Sequence, residues 1–156
     1  DKAIGDLVEF VIVMDYNGRV SKRSATDIGF SYRCSGLEDV IILQVCLKLV
    51  GRDPGAIRRR IAEYAAARRA GQGAAWRSAG CCFKNPRGTS AGRLIDACGL
   101  KGRRCGSAVV SGVHANFILN KGGARASDVL MLMRCIRETV KKRFGILLEP
   151  EIKIWR

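Results

Sequence analysis

The chain has 156 residues, 47% hydrophobic and 27% charged with 3 prolines, which bounds it to one or two small folded cores and excludes a disordered or collagen-like polymer. Its 28 Lys and Arg against 14 Asp and Glu leave a net charge of +14, so a phosphate-bearing or polyanionic partner is considered first. Apolar runs such as "VIILQVCLKLV" stop short of the ~20 residues of a membrane span, no secretory leader is visible, and 7 cysteines without framework spacing suggest reduced thiols in the cytoplasm.

In chain order, "LVEFVIVMDYNGRVSKRS" reads as two strands around an Asn17-Gly18 turn. In "SATDIGFSYR", Ser24 caps a single helical turn that Gly29 ends, and Arg33 follows in a connecting segment. "DVIILQVCLKLV" is β-rich, with Val40, Ile42, Gln44, Cys46 and Lys48 facing opposite to Ile41, Leu43, Val45, Leu47 and Leu49, and is expected to be a largely buried strand. Asp53 as N-cap and Pro54 at the first position start a helix that Gly71 should follow. Ile57, Ile61, Tyr64 and Ala65 share one face of it, and Arg58, Arg59, Arg60, Arg68 and Arg69 spread over the rest.

The stretch "GQGAAWRSAG" then reads as a hinge. "CCFK" is expected as a short strand, Thr89 to Gly99 as a helix and "NFILN" as a strand. "ASDVLMLMRCIRETVKKRFG" reads as a long helix capped by Ser127 or Asp128 and closed by Gly145. In "ILLEPEIKIW" strand alternation puts Glu149, Glu151 and Lys153 on one face, and Leu148, Ile152 and Ile154 on the other. The fold class is α+β, with a boundary between Arg52 and Gly73.

Chemistry narrows by elimination. No C-x2-C pair exists and His114 is the lone histidine, so no metal site is expected; Cys46, Cys98 and Cys135 read as small buried hydrophobes and His114 as structural. Neither a P-loop nor a G-x-G-x-x-G fingerprint is present. The arginines of the 53 to 70 helix could meet phosphates, but aromatics make up only 6% and no nucleic-acid module is recognisable, so a solvated helix face is preferred. Three separated groups remain: Arg33 in "YRCS", Cys81 in "SAGCCFKNP" and Glu151 in "LEPEIKI". Each alone has a plain counterpart as a surface arginine, a core thiol or a salt-bridged glutamate.

Taken in order, "IGDLVEFVIVMDYNG", "FSYRCS", "SAGCCFKNP", "AGRLIDACGLKG", "VHANFILNKGGARASDVL" and "RFGILLEPEIKI" make the chain resemble the UDP-N-acetylenolpyruvoylglucosamine reductases, the MurB flavoenzymes of peptidoglycan precursor synthesis. The resemblance implies an organisation of 1–50 as the end of an FAD-binding lobe, 51–73 as connector helix and hinge, 74–145 as a substrate-binding lobe, and 146–156 as a strand returning to the flavin. It implies a fragment, truncated or from a split gene, that lacks the N-terminal FAD-binding half and is inactive alone.

The implied reaction is NADPH-dependent, FAD-mediated reduction of a UDP-sugar enolpyruvyl ether to UDP-N-acetylmuramate. By family position, Arg33 stabilises the developing negative charge, Glu151 orients the carboxylate or Arg33, and Cys81 stands where a serine commonly donates the proton. A thiol is more acidic than an alcohol yet protonated at neutral pH, so it can serve as the general acid. Tyr32, Lys84 and Asn85 are implied substrate contacts and Lys153 a neighbour of the flavin, while Cys82 packs in the core. Gly112 stands where the family often has Glu. The alternative from another class is a non-catalytic basic module, derived from this fold, that binds anions or nucleic acid.

Overall fold

A computed structural model describes residues 3–72 and 77–154, and the chain resolves into two compact units, 1–57 and 58–156. It is mixed α and β, in keeping with the α+β expectation. The first unit opens with a 3-10 turn at Ile4–Leu7, followed by β1 (Val8–Met14), β2 (Val20–Ser24), a second 3-10 turn at Ala25–Asp27, and β3 (Ile41–Leu47). These form an antiparallel sheet in the order β2-β1-β3. The β1–β2 hairpin closes as expected. Gly18 takes φ 83°, and the Asp15 carboxylate accepts from the backbone N–H groups of Asn17 and Arg19, both at 2.9 Å.

Val8, Val11, Val13, Ile28 and Leu37 form the small core of this unit. The buried β3 of the sequence reading is not what the fold shows: Ile41, Ile42, Leu43, Val45 and Leu47 are all exposed, Leu43 by 51%. A largely apolar run fits a strand buried on both faces, but among the described residues of this unit there is one small core to cover it. The short turn also ends one residue early, at Ile28 rather than Gly29.

Helix α1 (Pro54–Gln72) begins where expected, with the Asp53 carboxylate accepting from the Ala56 N–H at 2.7 Å. It runs through Gly71 instead of stopping before it, and its Ile57, Ile61 and Tyr64 face is exposed. Part of the expected hinge, residues 73–76, lies outside the described residues.

The second unit contains β4 (Ser78–Cys81), α2 (Ala91–Ala97), β5 (Arg104–Cys105), β6 (Ala108–Val110), β7 (Phe117–Asn120) and α3 (Ala126–Phe144). Its antiparallel sheet has the order β4-β7-β6-β5, and α3 lies against β5, β6 and α2. The short β5–β6 hairpin has no counterpart in the sequence reading, because strands this brief carry no measurable alternation.

Phe83, Ile95, Leu132, Ile136, Val140 and Leu148 are fully buried at the centre of the second core. Helix α2 is shorter than expected and is capped by Ser90, whose hydroxyl accepts from the Arg93 N–H at 3.2 Å. Ser127 and Asp128 lie inside the first turn of α3 rather than before it; the Asp128 carboxylate reaches back to the Arg125 N–H at 3.0 Å, and Gly145 ends the helix at φ 71°. Cys98 and Cys135 are half-buried rather than fully buried, as is Cys46 in the first unit.

Candidate active site

The stretch from Cys81 to Asn85 is held from both sides. On one side β4 pairs with β7 as far as Cys81 opposite Phe117. One residue further, the Cys82 N–H donates to the Asn116 carbonyl at 2.8 Å. On the other side comes the C-terminal segment: the Glu151 N–H donates to the Cys82 carbonyl and the Lys84 N–H to the Glu149 carbonyl, both at 2.9 Å. These two bonds flank a single bridge between Phe83 and Pro150, not the extended strand that the alternation suggested. Pro150 has no N–H, which limits what this segment can add to a ladder. Arg137 on α3 secures the segment by donating from Nε to the Leu148 carbonyl at 2.9 Å.

This arrangement brings four candidate residues of the second unit together. Cys81 is half-buried at the end of β4, and Glu151, also half-buried, is bonded through its backbone to the neighbouring Cys82. Lys84 pairs with Glu149 through Nζ and Oε1 at 2.5 Å. Asn85 is exposed, and its Oδ1 accepts from the Ala91 N–H at 3.0 Å, which fastens the loop to the start of α2. Lys153 follows two residues after Glu151 and is exposed.

The two adjacent thiols have different surroundings. Cys82 is 2% exposed, in the core with Phe83. Burial, with the neighbouring Cys81 adding to it, pushes its pKa up to about 11, so it stays protonated across the neutral range. Cys81 is the more accessible thiol.

Tyr32 and Arg33 belong to the first unit. Both are exposed, with the Arg33 guanidinium 5.7 Å from the centre of the Tyr32 ring. The turn that carries them is closed by the Ser31 N–H to the Cys34 carbonyl at 2.9 Å and by the Cys34 N–H to the Ser31 carbonyl at 3.1 Å. Arg33 has φ 60°, the only left-handed backbone at a non-glycine among the described residues.

Three further residues shape the second-unit site without having been singled out in the sequence. Asn116 is 2% exposed and binds Phe83 twice, Oδ1 accepting from its N–H at 3.0 Å and Nδ2 donating to its carbonyl at 2.8 Å. Ser111, also buried, accepts from the N–H groups of Val113 and His114. Arg137 is the third. The one available signal was a polar residue directly before the apolar strand in "HANFILN". His114 itself accepts from the Asn116 N–H at 3.3 Å and meets the Phe117 ring edge-on at 4.7 Å, a packing role. Gly112 is exposed, and a Cβ added there would meet nothing within 4 Å.

Residues 72–155 match the family profile described as UDP-N-acetylenolpyruvoylglucosamine reductase, C-terminal domain. The chain is 46% identical over 153 residues to the UDP-N-acetylenolpyruvoylglucosamine reductase of Moorella thermoacetica, covering 97% of this chain and 51% of that relative. It is 44% identical to UDP-N-acetylenolpyruvoylglucosamine reductase 2 of Symbiobacterium thermophilum, with the same coverages of 97% and 51%. Among solved structures, the UDP-N-acetylenolpyruvylglucosamine reductase of Thermus caldophilus superimposes with a TM-score of 0.84 at 45% identity, covering 97% of this chain and 54% of that one. The chain thus spans about half the length of the curated relatives it matches.

Proposed function

This chain belongs to the UDP-N-acetylenolpyruvoylglucosamine reductase family, and on that premise we propose that it supplies the substrate-reducing half of such an enzyme. Its substrate is a UDP-sugar enolpyruvyl ether, its product UDP-N-acetylmuramate, and its cellular task peptidoglycan precursor synthesis. The observation that carries the reading is the backbone bond from Glu151 to Cys82, which ties the segment bearing Glu151 to the residue next to Cys81, the half-buried thiol at the family's proton-donor position.

Among the described residues no cradle for the diphosphate of FAD is formed. Between β7 and α3 lies a Gly-Gly turn of the kind that can hold a phosphate, but Asn120 Oδ1 already takes the N–H groups of Gly122 and Ala124, at 2.8 and 3.1 Å. Holding the cofactor therefore falls to a second polypeptide region equivalent to the relatives' other half. The exposed apolar strand β3 offers that region a packing surface. In the whole enzyme FAD would supply hydride received from NADPH, and Lys153 is the residue of this chain that would neighbour it.

The work of this chain is to manage charge and a proton. Arg33 presents a planar, permanently charged fork to the substrate carboxylate, where negative charge grows as the double bond is reduced. Glu151 orients the substrate carboxylate. Cys81 Sγ–H gives its proton to the carbon next to the carboxylate, which completes the saturated ether and leaves a thiolate to be reprotonated from solvent. Tyr32, Lys84 and Asn85 contact the substrate, with Lys84 exchanging its Glu149 partner for substrate oxygens. The basic-module alternative predicts nucleic-acid affinity falling steeply with salt; no observation favours it over the reductase reading.

The test joins the chain to the N-terminal half of the Moorella relative. The expected product is a yellow protein that consumes NADPH only when the enolpyruvyl substrate is present. Cys81→Ala should slow flavin reoxidation by substrate about 100-fold or more while NADPH still reduces the flavin at the normal rate. A protein that binds FAD and never reduces the substrate would overturn the proposal.

A further inference from the structure

The Cys81–Asn85 stretch carries the proposed proton donor, yet β7 begins one residue too late to hold it. The register of β4 against β7 is irregular between Ser78 and Cys81, and β7 begins only at Phe117. Past that point the N–H and carbonyl of Phe83 face the β7 side with no strand opposite them. The Asn116 side chain fills that gap: its amide presents one acceptor and one donor in the same plane, as a peptide unit does, and satisfies both groups of Phe83. Its own backbone carbonyl takes the Cys82 N–H. Three bonds from one buried residue thus fix the backbone whose opposite edge binds Glu149 and Glu151.

We infer that Asn116 is a positioning residue of this site, holding Cys81 and Glu151 in mutual register by acting as an extra peptide unit at the start of β7. The inference rests on the proposed reductase reading for its catalytic consequence and on the hydrogen bonds alone for its mechanical part. Only a neutral primary amide of this length meets both Phe83 groups: a serine reaches at most one, and an alanine neither.

Two measurements test it. In the chain alone, Asn116→Ala should accelerate amide hydrogen exchange at Phe83 and Glu151 by about tenfold or more while the amides of α3 near Ile136 keep their protection. Asn116→Ser keeps one hydrogen-bonding atom and serves if the alanine variant does not fold; it should give a smaller acceleration at the same two amides. In the protein joined to the Moorella N-terminal half, both variants should slow substrate-driven flavin reoxidation by roughly 10- to 100-fold. NADPH-driven reduction should stay within about twofold, and KM for the UDP-sugar within about threefold, as expected when geometry rather than binding is lost.

Unchanged exchange at Phe83 and Glu151 would overturn the inference, as would equal losses in the two half-reactions. If the unsubstituted joined protein never reoxidises with substrate, the reductase reading fails, and the exchange result still decides whether Asn116 sets this register.

Discussion

The two units bury their apolar residues differently. The second unit places Phe83, Ile95, Leu132, Ile136 and Leu148 in one core, with the C-terminal segment contributing Leu148. Among the described residues, the first buries five in its core and leaves five apolar side chains of β3 exposed. At about 25 cal/mol per Å2 of apolar surface removed from water, such a strand gains little until something covers it. The second unit therefore carries its own stability, and the first has a sequence suited to a partner layer.

The largest expected effect sharpens that contrast. Ile136→Ala removes a fully buried side chain from the second core and should cost about 2–5 kcal/mol in urea unfolding. Ile42→Ala, in the exposed strand, should cost less than about 0.5 kcal/mol in this chain and clearly more once the N-terminal half is joined. Equal costs for the two substitutions in the isolated chain would break the comparison.

The second effect concerns pH. Cys82 ionises less readily when folded than when unfolded, because burial disfavours its thiolate. Above the ordinary thiol value of about 9 the unfolded chain gives up this proton first, so the folded state binds more protons and stability falls as pH rises, levelling off near pH 11. The loss should be roughly 2–3 kcal/mol. Cys82→Ala removes the titration, so its unfolding midpoint, whatever its value at neutral pH, should lack this alkaline decline.

What the sequence made legible was what local chemistry decides. Asn17-Gly18 closes the hairpin, Asp53 with Pro54 starts α1, and Gly145 ends α3, because each acts within a few residues of itself. The burial of β3 was misjudged for a physical reason: an apolar run reads alike whether its own unit covers it or another polypeptide does. The final segment alternates as a strand does, but Pro150 and one bridge give it a different structure. Cys81, Lys84, Asn85 and Glu151 were legible as candidates only through ordered motifs, since their meeting depends on pairing across the whole second unit. Asn116 was not legible, because a side chain that stands in for a peptide leaves no periodic trace.

The smallest effect comes from the backbone of Arg33. At φ 60° it sits in a conformation that disfavours L-residues by about 1–2 kcal/mol and glycine hardly at all. Arg33→Gly should leave the melting temperature unchanged or raise it by a few degrees, while the joined protein loses substrate reduction; a drop in stability would show that the turn depends on the guanidinium. Selection for folding alone would put glycine here. An arginine kept at this turn marks a position where the chain gives up some robustness for chemistry, and where stabilising substitutions would be expected to cost activity.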